Sequence, residues 1–435
     1  MKKKVNIFWF RRDLRLEDNH GLYEALKGKQ HVLPIFIFDS EIIEQLPKTD
    51  ARVTFIHETL QNINSKIQNE FDSGIAMYHG KPISIYKKLI ETYNIDSVYI
   101  NHDYEPYARD RDAELKLFLN KHNIEFKTFK DHVIFEKNDI IKSDGTPYLV
   151  YTPYMKRWKE TFRKENLNHY PSEDVLANLV SNKALSNLNL ADIGFSKSEQ
   201  RIKPYSVTPK LIQNYEATRN FPAQDSTSRL GPHLRFGTVS VRNMIKKAIG
   251  ETNEIFWQEL IWREFFTQIL WHFPHTQTKS FKPKYDRIVW RNNETEFKAW
   301  CEGKTGYPLV DAGMRQLNET GFMHNRVRML VGSFLCKHLL IDWRWGEAYF
   351  AEKLHDYDMA SNIGNWQWVA GSGVDAAPYF RIFNPTTQIE KFDKQLEYIN
   401  TWVTDLHQLT YPTPIVDHKS ARERCLQVYK AALNG

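Results

Sequence analysis

The sequence predicts an α/β N-terminal domain built on a Rossmann-like parallel sheet, followed by an all-helical domain. Between Val5 and about Lys130, short apolar runs alternate with helix-like segments: VNIFWF, HVLPIFIFD, IAMYHG, SVYINH and EFKTFK. Strands interleaved with amphipathic helices need crossover connections, and crossovers make neighbouring strands parallel. Beyond Pro204, segments such as IFWQELIWREFFTQILWHF and RMLVGSFLCKHLLIDW place apolar residues at helical spacing with little two-residue alternation. The chain has 435 residues, more than one hydrophobic core usually organises, so two domains are expected. The boundaries read as 1–130 for the sheet domain, 131–204 for an irregular connector with short helices, and 205–435 for the helical domain.

Composition narrows the class. Hydrophobic residues make up 41% and charged residues 26%, as in an ordinary globular protein, so disorder is excluded. The N-terminal MKKKVNIFWFRRDL has too short an apolar run for a signal peptide, and no stretch approaches the roughly 18 apolar residues of a membrane span. A cytoplasmic protein without a membrane partner is expected. Cys301, Cys336 and Cys425 are odd in number and lack ligand spacing, which supports neither a disulfide framework nor a metal site. The formal charge of +6 permits a polyanionic partner without requiring one. Aromatic residues reach 14%, which suits a thick helical core or a site that stacks planar rings. No GxGxxG follows the first strand and no Walker loop occurs, so the sheet lacks the usual phosphate-cradling devices.

Several constellations carry chemistry. In QELIWREFF, Glu259, Trp262 and Arg263 fall at i, i+3 and i+4, which gathers a carboxyl, an indole and a guanidinium on one helical face. An exposed ion pair beside a core tryptophan would have the same spacing. In MHNRVRML, Asn325, Arg328 and Met329 share one face, with Arg326 and His324 on others. In HDYDMASNIGNWQW, Asp356 and Asp358 can cap a helix start or partner an arginine. TSRLGP, Thr227 to Pro232, offers hydroxyls and backbone amides of the kind that hold a phosphate at a helix entry.

In this order these motifs resemble one family over the whole chain. WFRRDLRLEDN, TSRLGPHLRFG, ELIWREFF, EGKTGYPLVDAGMRQL, GFMHNRVRM, LLIDWRWGE and NWQWVAGSGVDAAPYFRIFNPTTQ are long, collinear and similar to the photolyase/cryptochrome family. The resemblance implies an antenna domain followed by a helical domain that holds FAD, with the reduced flavin as active form. Asn325-Arg326-Val327-Arg328-Met329 and Asn362 look like the branch that repairs cyclobutane pyrimidine dimers, nearest to class I. The implied reaction is a redox-neutral, light-driven splitting of pyrimidine dimers in UV-damaged DNA, carried out by a monomer at the nucleoid of a prokaryote.

The resemblance also implies roles residue by residue. Tyr215, Thr227, Ser228, Arg229, Leu230 and Gly231 match the FAD-binding motif, with Gly231 in place of a common serine. Arg263 falls near the pyrophosphate, and Asp356, Tyr357 and Asp358 around the isoalloxazine and ribityl chain. Arg328 pairs with Asp356 beside the flavin, and Asn362 sits at flavin N5. Arg219, Arg326 and Gln388 match DNA backbone contacts. Glu259, Trp262, Asn325, Met329 and Trp368 match the pocket for the flipped dimer, where Glu259 binds the thymine edge. Trp366, Trp343 and Trp290 match an electron-transfer chain that reduces oxidised flavin. Residues two apart on a helix diverge by roughly 200°, so Trp366 and Trp368 face opposite ways if the helix runs through both.

The antenna is read from HDYEPYARDRD. Folate-binding members carry an Asn-Glu pair where this chain has Tyr107-Ala108, whereas Glu105 to Asp112 look more like deazaflavin-type members. A deazaflavin or an empty antenna site is expected. The rival functions are a blue-light signalling cryptochrome and a DASH-type enzyme, and Met329 stands against the second.

Overall fold

The computed structural model describes residues 3–163, 167–182 and 184–434. Residues 164–166 and 183 of the expected connector lie outside the described residues. The first part runs β1 (Lys4–Phe10), α1 (His20–Leu26), β2 (His31–Phe38), α2 (Ser40–Ile43), α3 (Ala51–Phe71), β3 (Ala76–His79), α4 (Pro82–Thr92), β4 (Asn94–Asn101), α5 (Pro106–Lys121) and β5 (Glu125–Phe129). Then follow α6 (Tyr151–Thr161), α7 (Pro209–Thr218), α8 (Gly231–Phe236), α9 (Val241–Ile249) and α10 (Ile255–His272). The remainder is α11 (Glu294–Cys301), α12 (Pro308–Thr320), α13 (Asn325–Ser333), α14 (Trp343–Lys353), α15 (Met359–Ala370), α16 (Pro385–Phe392), α17 (Glu397–Trp402) and α18 (His418–Asn434).

The chain divides into two compact units. The first comprises Met1–Glu136, Thr161–Tyr205 and Arg229–Gly250; the second comprises Lys137–Glu160, Ser206–Ser228 and Glu251–Gly435. The segment expected to be a connector is thus shared between them, and residues 229–250, from the region expected to be helical domain, pack with the sheet. Local composition cannot show this, because unit membership depends on which distant surface a segment buries.

In the first unit all five expected strands form one parallel sheet of order β3-β2-β1-β4-β5. Successive side chains of a strand point to opposite faces. On β1, Phe8 and Phe10 join one core with Leu22, Leu60 and Ile63, while Ile7 and Trp9 join the other with Tyr86, Leu89 and Leu115. Burial on both faces explains why β1 reads as a continuous apolar run rather than an alternation.

The polar motif after β1 is a buried knot. Asp18 is fully buried in the left-handed region, φ 47°, and accepts from Arg242 Nε at 3.0 Å. Arg15 Nη2 donates to Asp131 Oδ2 at 2.7 Å and Arg242 Nη2 to Asp131 Oδ1 at 2.9 Å. Burial alone would raise the Asp131 pKa; the two guanidiniums overcome it and hold the carboxyl well below its usual range. Asp13 goes the other way, pushed up to about 6 mainly by burial.

In the second unit all regular elements among the described residues are helical. Its core joins α12, α13, α14 and α15 through residues such as Leu317, Val327, Val331, Phe350 and Trp366. α10 buries Phe256, Leu260, Ile261, Phe265, Phe266, Ile269 and Leu270, an almost continuous apolar surface that needs partners on several sides.

Candidate active site

α13 and α15 build the centre of the site. α15 starts where the Asp358 carboxylate accepts from Ser361 N at 3.1 Å, an N-cap that satisfies one of the orphan amides of the first turn. Asp356 partners an arginine instead: Arg328 Nη2 donates to Asp356 Oδ2 at 2.9 Å, while Arg328 Nε donates to the Met323 carbonyl at 2.7 Å. Both roles left open for these aspartates are therefore used, one by each. Asn325, Arg328 and Met329, grouped by helical spacing, line one cavity together with Asp356, Asp358, Asn362, Trp366 and Trp368.

The two tryptophans of NWQW lie in the same helix and differ in surroundings. Trp366 is 3% exposed and packs against Phe350 at 5.0 Å and Trp300 at 6.2 Å between ring centroids. Trp368 is half-buried, and both indoles line the cavity, so the expected division into opposite faces appears as a difference in burial only. Trp343, 1% exposed, belongs to the same core as Trp366, and Trp290 packs on its margin as a half-buried ring. Trp290 meets Tyr429 edge-on at 6.1 Å.

The walls of this cavity suit a polar planar cofactor. Asp356 Oδ1 is buried and has no hydrogen-bond partner, an acceptor that wants a donor. Asn362 Nδ2 donates to the Glu347 backbone carbonyl at 3.2 Å and to Glu347 Oε1 at 3.0 Å. With its amide nitrogen so committed, Asn362 has its carbonyl oxygen left to offer, also as an acceptor. Burial raises the Glu347 pKa, against the hydrogen bonds from Asn362 and Tyr357. Two acceptors facing one cavity fit the N–H groups of a reduced isoalloxazine, so the residues present fit FAD. Glu347 was missed in the sequence because it lies 15 positions from Asn362 on another helix, outside any local spacing rule.

A second cluster lies on α7, α10 and α13. Arg219 Nη1 donates to Glu259 Oε1 at 2.5 Å. Burial opposes the Arg219 charge, and the Glu259 carboxylate outweighs it, so its pKa rises. Tyr215, one turn before Arg219, lies under that guanidinium at 5.4 Å, and burial with the Glu259 charge pushes its hydroxyl up to about 12. The structure therefore groups Tyr215 with Arg219 and Glu259. Arg326 donates to Asn220 Oδ1 at 2.6 Å and lies 4.4 Å over the Phe392 ring. Its pKa is lowered by burial and then by the charges of Arg219 and Arg381. The Arg219, Arg326 and Arg381 guanidiniums lie close enough to act on one another, with Glu259 paired to Arg219, and form an anion-seeking patch. Arg381, exposed in the chain before α16, was not singled out from the sequence; RIFNPTTQ gives it no helical or strand spacing.

The remaining predicted residues are distributed as follows. Trp262 and Arg263 lie beside Glu259 on α10, both half-buried. Gln388 is half-buried on α16. Thr227 and Ser228 close a segment of the second unit, and Arg229, Leu230 and Gly231 open a segment of the first. Arg229 adopts φ 55°, Leu230 is buried, and Gly231 begins the six-residue α8. All three cysteines are free, and no helix among the described residues is long and apolar enough to cross a membrane.

Residues 6–173 match the family described as DNA photolyase, and residues 256–410 match the FAD binding domain of DNA photolyase. The deoxyribodipyrimidine photo-lyase of Agrobacterium fabrum is 37% identical over 99% of this chain and 98% of its own length. A bacterial class III photolyase from Agrobacterium tumefaciens superposes with a TM-score of 0.85 at 35% identity, covering 100% of this chain and 99% of that one. A cryptochrome from Synechocystis superposes with a TM-score of 0.84 at 25% identity, covering 98% of this chain and 99% of that one. Identity of this order along the entire length, with a matching fold and a cavity whose acceptors fit a flavin, makes the chain a member of the photolyase/cryptochrome family.

Proposed function

We propose that the protein is a deoxyribodipyrimidine photo-lyase that binds UV-damaged DNA and splits pyrimidine dimers under light. The observation that carries this reading is the single cavity in which Asp356 and Asn362 offer acceptors while Asn325, Met329 and Trp368 line the same space. FAD held in this cavity would supply a reversible one-electron transfer to the dimer, driven by blue light. The chain's own residues bind, orient and exclude water. Arg328 neutralises one Asp356 oxygen and leaves the other to accept from the flavin ring. Glu347 holds the Asn362 amide nitrogen, so its carbonyl oxygen would be left to accept from a bound cofactor. Arg219, Arg326, Arg381 and Gln388 bind phosphates and set the register of the duplex, without reading sequence. Glu259, released from Arg219 when a phosphate competes for that guanidinium, turns to the thymine edge. Met329, Trp262 and Trp368 supply apolar contact and stacking to the flipped dimer.

The finer assignments belong to the same proposal. Asn325 to Met329 and Asn362 favour dimer repair over signalling, and class I within it; the likeness to the Agrobacterium class III structure favours class III as the second reading. Thr227, Ser228, Arg229, Leu230, Gly231 and Arg263 hold the cofactor phosphates. Trp366, Trp343 and Trp290 pass electrons to oxidised flavin. The antenna chromophore, if carried, is of deazaflavin type, and the protein acts as a monomer in the cytoplasm at the nucleoid. Residues 1–130 carry the antenna domain and 205–435 the catalytic one, with 137–160 of the connector packing in the second unit and 229–250 in the first.

The test is to purify the protein, record its absorption spectrum, and incubate it with a dimer-containing oligonucleotide in blue light and in darkness. Flavin bands and dimer loss only in light are expected. Flavin binding without light-dependent dimer loss refutes the repair reading and favours the cryptochrome one.

A further inference from the structure

Trp262 is held by a residue far away in sequence. The Tyr151 ring lies flat on one face of the indole, with centroids 3.5 Å apart and planes 8° from parallel. Tyr151 is 6% exposed. Its hydroxyl donates to the Gln258 carbonyl at 2.7 Å, one turn before Trp262 on α10. Its backbone N–H, at the first residue of α6, donates to Asp375 Oδ2 at 3.0 Å. Asp375 sits at φ 46° in the chain that leaves α15 just after Trp368. Phe265 meets both Tyr151 and Trp262 edge-on, at 5.8 Å and 5.6 Å. Phe266 flanks the indole at 5.5 Å and rests on α15 at Gly364, where a Cβ would come within 2.3 Å of its ring.

These contacts order the indole: Tyr151 covers one face, and Phe266 lies offset beside the ring with its plane 28° away. A base that stacks on Trp262 must use the other face. Stacking gains most when the platform is ordered before the ligand arrives, since the rotamer entropy is then not lost on binding. Tyr151 also connects the two indoles, gripping Trp262 with its ring and the turn after Trp368 with its backbone amide.

We propose that Tyr151 is a positioning residue for the damaged base pair: it presets Trp262 and, through Asp375, ties it to Trp368, so that the two indoles meet the flipped dimer as a prearranged pair. The inference rests on the reading that Trp262 and Trp368 contact the lesion. Tyr151 touches neither DNA nor cofactor in this role. A purely packing role predicts instead a loss of stability that affects every ligand alike.

The experiment compares Tyr151→Phe, Tyr151→Leu, Asp375→Ala, Trp262→Leu and the Tyr151→Leu/Trp262→Leu double variant of the flavin-loaded protein. Dissociation constants are measured for a dimer-containing duplex and for its undamaged counterpart at one salt concentration, with flavin content and unfolding midpoint alongside. Tyr151→Phe keeps the stack and is expected to bind the lesion within about twofold of the parent, which is rescue by the conservative ring. Tyr151→Leu is expected to weaken lesion binding by about three- to tenfold while undamaged DNA binds as before. Asp375→Ala, a change at an exposed residue, is expected to produce a smaller loss of the same kind. On the Trp262→Leu background, Tyr151→Leu should cost nothing further, because its effect passes through Trp262. Equal weakening toward both duplexes, or full additivity in the double variant while Trp262→Leu is itself selective, overturns the positioning role alone. A Trp262→Leu variant with unchanged lesion preference overturns the pocket reading and this inference with it.

Discussion

Replacing each indole of NWQW by phenylalanine separates the two roles assigned to them. Trp366 is 3% exposed, wedged against Phe350 and Trp300, so Trp366→Phe leaves a void the size of the lost ring portion. Full truncation of a buried tryptophan costs about 3–5 kcal/mol, and phenylalanine refills most of the volume, so about 1–2 kcal/mol is expected. For a helical unit of this size that lowers the unfolding midpoint by roughly 2–8 °C. Trp368 is half-buried on the cavity wall, and Trp368→Phe should cost less than about 1 kcal/mol. The functional effects should be reversed in kind. Phenylalanine is much harder to oxidise than tryptophan, so Trp366→Phe should block photoreduction of oxidised flavin yet repair dimers once the flavin is reduced with dithionite. Trp368→Phe should photoreduce normally and bind or repair the lesion less well, since the smaller ring stacks less area. Both variants are illuminated under anaerobic conditions while the flavin spectrum is followed, then assayed for repair after chemical reduction. If the two behave alike in both assays, the division between a buried electron-transfer indole and a half-buried lesion-facing indole is wrong, and NWQW is core packing.

Other expectations follow from single contacts. Gly346→Ala would place a Cβ 2.1 Å from the Trp366 ring and 2.6 Å from Leu335, so overpacking should cost about 1–3 kcal/mol in thermal unfolding and slow photoreduction. Lesion binding should weaken with salt, and Arg326→Ala should flatten the slope of log K against log salt by about 0.9, one phosphate contact; an unchanged slope removes Arg326 from the DNA face. Glu259→Ala should leave flavin content and photoreduction intact while lowering the repair yield; flavin loss with normal repair per remaining flavin contradicts its assignment to the lesion. Asp131→Asn leaves buried Arg15 without its carboxylate, while Arg242 keeps Asp18, and should destabilise the sheet unit by about 3–5 kcal/mol at pH 7. Because the folded-state pKa of Asp131 lies below its unfolded value, its contribution is complete above the ordinary carboxylate range and is lost as pH falls through the folded value. The gap between parent and variant in urea unfolding should therefore hold near neutral pH and close in strong acid; a gap independent of pH refutes the ion-pair account.

Much of the molecule follows from local pattern. The five strands, the helical character beyond Pro204, and the facing of Asn325, Arg328 and Met329 toward one space all come from side-chain periodicity, which backbone geometry imposes on any sequence. Trp366 and Trp368 differ in burial once α15 runs through both, although both line the one cavity. What joins those elements was not legible. Arg219 meets Glu259 across 40 positions, Asn362 meets Glu347 across 15, and the Tyr151 ring lies on Trp262 from a different helix. The charged motif after β1 has no spacing that reveals its partners, and it is a buried knot closed by Asp131 and Arg242, more than 100 residues downstream. The division of the chain into units likewise sends 137–160 and 229–250 away from their sequence neighbours. Periodicity reports which way a side chain points within its own element. Which distant side chain it meets depends on how the elements dock, where burial turns an isolated charge or ring into half of a pair, and that only the tertiary structure decides.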